Sequence, residues 1–272
     1  MCKNENRIDM NDIIAQDEGD AAVIRLQAVS KRYKGASNYA VRNLDLQVRP
    51  GEIFGFLGPN GAGKTTTIKM IVGLLKADQG NVVVNGHDLN TDPIGAKRSM
   101  GFVPDKPDLY PRLTGLEYLG LIGDVYGVDG PTRTKRINYY LEMFQLSEAA
   151  GDLIQSFSRG MQQKLALTGA LLHAPALFIL DEPLVGLDPK SSHLFKEIMR
   201  EHVKQGNTVF FSTHVLEVAE QLCHRVGIIN QGELIACGTM DELRSKARPG
   251  HGGSSLEKLF LELTDEGGSD EE

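Results

Sequence analysis

Eight residues constrain this chain more than any others. Gly58-Pro59-Asn60-Gly61-Ala62-Gly63-Lys64-Thr65 fits the pattern G-x-x-x-x-G-K-[ST]. Just before it, Ile53-Phe54-Gly55-Phe56-Leu57 is a short apolar run that predicts a buried strand. After it, Ile68, Ile71, Val72 and Leu75 recur at helical spacing between Thr66 and Leu75. The glycines let the backbone wrap a phosphate without Cβ clashes, so that consecutive N–H groups point inward. The start of the helix adds further N–H groups and the positive end of its dipole. In this arrangement Lys64 reaches the outer phosphates and the Thr65 hydroxyl is placed for Mg²⁺. Gly58 to Thr66 are therefore candidate nucleotide-binding residues, and Lys64 also a catalytic one.

Composition excludes several classes. The chain has 272 residues, of which 41% are hydrophobic and 24% charged, with a net charge of −7. No global basic field points to nucleic acid, and none is expected as a partner. No apolar run approaches the roughly 18–20 residues of a membrane helix. The stretch Met1 to Asp20 is polar and acidic, without the apolar segment of a signal peptide. Any link to a membrane is thus expected to run through a partner. Cys2, Cys223 and Cys237 have no metal-ligand spacing and fit a reducing compartment. Cys2 is a candidate lipidation or redox site, with a bystander in a flexible end as the plain alternative.

Residues 1–22 read as a mobile arm. Alternation from Val23 to Val29, and again from Val41 to Val48, predicts antiparallel strands with one wetter face. Val82-Val83-Val84 before Asn85-Gly86 predicts a strand running into a hairpin. Ser99 to Val103 reads as a further strand, ended by Pro104. From Asp105 to about His173 the pattern turns helical. Thr114 and Glu117 form a capping box, Gly127 to Pro131 breaks the first helix, and helices are predicted over 132–146 and 163–172. Strands then return at Ala176–Leu180 and Thr208–Ser212, with a hairpin over 226–236. Asp188-Pro189 opens a helix, Val215 to Cys223 reads as another, and Thr239 and Glu242 form a second capping box. The region 246–272 reads as a linker, a short amphipathic helix over Ser254–Leu263 and an acidic tail. The expected fold is α/β. It is a P-loop NTPase with a mixed central sheet, an N-terminal antiparallel β subdomain and an inserted helical subdomain at about 105–173, the whole spanning 23–245.

Leu177-Phe178-Ile179-Leu180 ends in Asp181-Glu182. A buried strand that ends in paired acids calls for a cation or a reaction. Asp181 is the Mg²⁺ candidate, and Glu182 is placed to polarise the attacking water as a general base. Two solvated acids on a loop are the alternative. His214 follows another apolar strand. It is either a structural histidine or one that bonds the γ-phosphate and holds the water.

Taken together in this order, these motifs resemble the ATP-binding subunits of ABC transporters, from about Val23 to Leu243. Phe157-Ser158-Arg159-Gly160-Met161 is similar to the family's signature Leu-Ser-Gly-Gly-Gln, with Ser158 and Gly160 matching and Phe157, Arg159 and Met161 departing. Gly186-Leu187-Asp188 resembles the D-loop, which adds Asp188 to the nucleotide-binding candidates. Tyr33 falls where the family sets an aromatic against adenine. Where the family usually has Gln after Pro104 this chain has Asp105, which cannot donate an amide N–H but can contact Mg²⁺ or its water.

The resemblance implies ATP and Mg²⁺ as cofactors. It also implies two ATPase subunits, identical or paralogous, paired head to tail. Each ATP then lies between one P-loop and the other subunit's Ser158, Arg159 and Gly160. Arg159 adds a charge-assisted contact to phosphate, or is a solvated charge. A separate integral membrane permease is the implied partner. It would hold the ATPase at the cytoplasmic face of the membrane, and a cleft beside the helix of Leu116 to Tyr126 would receive a helix of that permease. The variant signature resembles the exporter branch, for a drug, antibiotic, peptide or polysaccharide. The other readings are a soluble ATPase of this family acting on nucleic acid or ribosomes, and a non-catalytic ATP-binding regulator.

Overall fold

Alternating apolar residues build the first of two sheets. The computed structural model describes residues 22–185 and 187–246. The N-terminal arm with Cys2, Gly186, and the linker, amphipathic helix and tail from 247 onward lie outside the described residues. Strand β1 (Ile24–Lys31) pairs antiparallel with β2 (Val41–Val48), setting Leu26 opposite Leu46. After β3 (Ile53–Leu57) leaves for the second sheet, β4 (Gln79–Val84) pairs with the other side of β1. A turn at Asn85 and Gly86, with φ 48° and 79°, returns the chain to β5 (His87–Asp88). Positive φ at both central residues is what a tight hairpin of this twist requires. Ile24, Leu26, Leu44, Leu46, Val82 and Val84 are buried in one cluster with Ile68, Met70 and Ile71 of α1 (Lys64–Ile71).

The second sheet contains β6 (Met100–Val103), β7 (Leu177–Asp181), β8 (Thr208–Thr213), β9 (Arg225–Asn230) and β10 (Glu233–Gly238), in the order β10-β9-β3-β8-β7-β6. All its pairs are parallel except β9–β10. Every residue of β3, β7 and β8 is buried, which is why these strands read as unbroken apolar runs. Leu57 lies opposite Thr213, and Asp181 opposite Ser212. The carboxyl ends of β3, β7 and β8 therefore reach one edge together, where open parallel sheets form their binding crevices.

Between β4 and β6 the chain forms α2 (Pro93–Arg98). Between β6 and β7 it forms α3 (Gly115–Val125), α4 (Gly130–Met143) and α5 (Arg159–Leu171). Leu119, Ile137, Leu141, Phe144 and Leu165 of this segment share a core with Phe178, Leu180 and Phe211 of the sheet. The chain then adds α6 (Pro189–Lys204), α7 (Leu216–Leu222) and α8 (Met240–Lys246). Both capping boxes close. The Thr114 amide donates to Glu117 at 2.7 Å and the Glu117 amide to Thr114 Oγ1 at 3.1 Å, while Thr239 and Glu242 exchange bonds of 2.8 and 3.2 Å. No helix among the described residues is long and apolar enough to cross a membrane.

Local structure departs from periodicity in four places. Helix α1 stops at Ile71 and not Leu75, because Gly73 takes φ 67° and the Leu74 and Leu75 amides both turn back to the Lys69 carbonyl. Helix α2 was not legible, since its six residues are too few for a period. It is started by Asp92, which accepts from the Gly95 amide at 2.9 Å, with Pro93 in its first turn. The break after α3 falls where expected, but α4 starts at Gly130 and not Thr132, with Pro131 in its first turn, where its missing N–H leaves no bond unmade. Helix α5 starts at Arg159, capped by Ser158, one turn earlier than its apolar residues suggest.

Candidate nucleotide site

Close backbone packing explains why the loop after β3 is glycine-rich. A Cβ on Gly58 would lie 2.3 Å from the Ile229 carbonyl oxygen, and one on Gly63 would lie 2.5 Å from that of Ala40. Gly63 also has φ 108°, a conformation that side chains resist. The Ala62 amide closes a turn on the Pro59 carbonyl at 3.2 Å, and the Gly232 amide from the β9–β10 turn pins the Ala62 carbonyl at 2.9 Å. Asn60, Gly61 and Thr65 are exposed, while Lys64 is buried. The Lys64 ammonium donates to the carbonyls of Gly58 at 2.7 Å and Pro59 at 3.1 Å.

Four residues singled out in the sequence meet at this edge. Lys64 Nζ lies 3.4 Å from Glu182 Oε1, and His214 Nδ1 lies 3.0 Å from Glu182 Oε2. Asp181, buried beside them, accepts a bond of 2.6 Å from the Ser212 hydroxyl. Glu182 takes φ 49°, a left-handed conformation that costs a residue with a side chain about 1–3 kcal/mol. Its amide is held by Ser212 Oγ at 3.0 Å. Glu182 Oε1 is buried and accepts no hydrogen bond, so this oxygen keeps capacity for a further donor.

The remaining candidates stand around this cluster. The Tyr33 hydroxyl and Thr66 Oγ1 are 3.3 Å apart, which ties the loop after β1 to the start of α1. Beside Tyr33 lies an open recess of about 700 Å³ lined by residues including Arg32, Tyr39 and Asp78. Asp78 accepts from the Arg32 amide and from Lys31, and these bonds hold its carboxyl below the usual range. Ser158 accepts from the Met161 amide at 3.3 Å. Arg159 pairs with Asp105 at 3.5 Å, and Asp105 makes no bond to Thr65 or Asp181. Asp188 caps α6 on Ser191, and those bonds from the Ser191 hydroxyl and amide lower its pKa; Lys164 Nζ is 3.9 Å away. Among the described residues no hydrogen bond or ion pair joins Ser158, Arg159 or Gly160 to the Lys64 cluster. Sequence reasoning missed Ser212. Its only signal is a hydroxyl in an apolar strand, and the register that brings it to Asp181 is not readable from either strand alone.

Residues 41–185 match the ABC transporter family. The linearmycin resistance ATP-binding protein LnrL of Bacillus subtilis is 41% identical over 236 residues, covering 87% of this chain and 75% of that protein. The Nod factor export ATP-binding protein I of Cupriavidus metallidurans is 36% identical over 222 residues, covering 82% of this chain and 73% of that protein. A solved dimeric, post-hydrolysis ATP-binding cassette bound to ADP and Pi superposes with a TM-score of 0.73 at 29% identity, over 80% of this chain and 98% of the other. With a glycine-bound lysine, an acidic strand end and a strand-end histidine gathered at one sheet edge, and with these matches, the chain belongs to the ABC transporter family as an ATP-binding subunit, an ATPase coupled to transport.

Proposed function

We propose that this subunit binds Mg-ATP at a head-to-tail interface with a second ATPase subunit and drives a separate membrane permease, for export. One observation carries the reading. Lys64, Glu182 and His214 converge within 3.4 Å and 3.0 Å, while among the described residues Ser158, Arg159 and Gly160 make no bond to them. That is half of a phosphate site, and the start of α5 is an anion-binding end in need of a phosphate from elsewhere.

In this reading Gly58 to Thr66 cradle the phosphates, with Lys64 leaving Glu182 for the outer phosphates. Tyr33 receives the adenine, and Asp188 contacts the nucleotide across the interface. Glu182 accepts the proton of the attacking water and His214 holds that carboxylate in place. Buried Asp181 and the exposed Thr65 hydroxyl are hard oxygen donors. They fit Mg²⁺, which takes few protein ligands beside the substrate phosphates. When bound, that ion neutralises charge on the phosphate oxygens. Asp105 is the third proposed oxygen donor, and its pairing with Arg159 sets the two in competition with phosphate. Contacts from Ser158 and Arg159 to the γ-phosphate exist with ATP and vanish with ADP, so binding closes the pair and hydrolysis opens it.

Export is supported by relatives whose names carry resistance and export, and a place at the cytoplasmic face of a membrane follows only from the proposed permease partner. Co-expression with a candidate multi-span membrane permease is the test. The tagged chain is expected to float with vesicles only when that protein is present. Recovery with ribosomes or nucleic acid, and none with vesicles, would overturn the reading.

A further inference from the structure

Ser212 has no solvent exposure. It lies between Asp181 of β7 and Phe56 of β3 in the pairing of the central sheet. Residues opposite each other in a sheet point to the same face, and that face is otherwise filled here by Ile179 and Phe210. A serine hydroxyl has one proton to give and two lone pairs. The proton goes to Asp181 Oδ1 at 2.6 Å, and a lone pair receives the Glu182 N–H at 3.0 Å. One hydroxyl thus holds both members of the acidic strand end.

From these contacts we infer that Ser212 is a positioning residue for ATP hydrolysis, orienting the Asp181 carboxylate and setting the backbone of Glu182. The inference rests on the roles proposed above for Asp181 and Glu182. Strand β7 ends at Asp181, and the chain must turn at once for the Glu182 carboxylate to lie between Lys64 and His214. That turn is the φ of 49° at Glu182, and the bond to Ser212 is what holds its amide there. The same hydroxyl removes the rotational freedom of the Asp181 carboxylate by binding one of its oxygens. Partners that orient a ligating carboxylate change metal affinity or activity by about 10–100-fold when removed.

A hydroxyl that only satisfied a buried carboxylate would affect folding and leave the metal response alone. Ser212→Ala, Ser212→Thr and Ser212→Val separate the two roles, because Thr and Val share a shape and differ in the hydroxyl. Three readouts are needed on the full chain, each variant being checked as folded by circular dichroism. These are kcat and KM for ATP, binding of a fluorescent ATP analogue in EDTA, and Mn²⁺ binding to the ATP-loaded protein by electron paramagnetic resonance.

For Ser212→Ala and Ser212→Val, kcat is expected to fall about 10–100-fold and half-saturating Mn²⁺ to rise about 10-fold. KM and metal-free nucleotide binding stay within about twofold, and Ser212→Thr recovers to within about threefold of wild type, since only orientation is lost and the hydroxyl restores it. Wild-type kcat and Mn²⁺ binding in Ser212→Ala, or Ser212→Thr no better than Ser212→Val, overturns the inference. Asp181→Asn distinguishes the two levels. If it abolishes Mn²⁺ binding while Ser212→Ala does not change it, the roles stand and Ser212 alone is excluded. If Asp181→Asn leaves Mn²⁺ binding intact, the role of Asp181 is wrong and the inference falls with it.

Discussion

Glu182→Gln removes one charge and no volume from the cluster at the sheet edge. Two consequences can be sized. Loss of a general base lowers the rate by about 10²–10⁴-fold, which corresponds to roughly 3–5 kcal/mol in the barrier. Loss of the charge also frees Lys64. At 3.4 Å, the gross attraction between ammonium and carboxylate is about 5 kcal/mol for an effective dielectric near 20. Both side chains are largely buried, at 7% and 15% exposure, so desolvation offsets most of that attraction. A net release of about 1 kcal/mol remains, or about fivefold tighter ATP binding. The variant is therefore expected to bind ATP, fail to hydrolyse it and accumulate as a closed dimer. Size-exclusion chromatography with light scattering, with ATP and then with ADP, reads the assembly, and single-turnover phosphate release reads the chemistry. A strict monomer at saturating ATP, with turnover within threefold of wild type, would refute both the base assignment and the half-site.

Two further outcomes follow from other contacts. His202 is buried at 8% exposure against Phe178, with Nε2 unbonded, and burial pushes its pKa down to about 4. The unfolded chain takes up that proton first, near pH 6.5, so stability is full above that pH and falls by about 3 kcal/mol as pH drops toward 4. Urea melts of wild type and His202→Leu across pH 7.5 to 4.5 check this, and parallel losses in the two proteins would contradict it. Asp105→Asn removes an ion pair of 3.5 Å whose side chains are 60% and 38% exposed, so global stability is expected to change by less than about 1 kcal/mol. In the Glu182→Gln background it should lower the ATP concentration needed for dimerisation by up to about fivefold, because Arg159 is freed for phosphate while the Asn carbonyl still offers an oxygen to the metal. An unchanged midpoint, with Arg159→Ala also silent, would remove Arg159 from the site.

Residues whose meaning lies within a few positions of themselves were legible. The glycine loop followed by Lys64, the apolar runs that became β3, β7 and β8, and the Thr114 and Thr239 caps all depend on neighbours along the chain. Helix α2 was hidden because it rests on a cap and a proline and not on a period. The start of α5 after its cap Ser158 was legible only through the family resemblance and not from period, because Ser158 to Gly160 carry no apolar residue to mark the helix.

By itself, then, the sequence determined what each segment is and which residue types carry the chemistry, since propensity, period and capping act over one or two turns. Tertiary structure decided which of those residues meet. Lys64 and Glu182, and Ser212 and Asp181, are brought together by strand order and register, and Asp105 and Arg159 by the packing of α5 beside β6. Register depends on which whole faces are buried against which helices, and no short stretch of chain contains that information. Ser212 marks the boundary between the two. As a letter it is a hydroxyl in an apolar strand, and in the sheet it bonds to both acidic residues of the site.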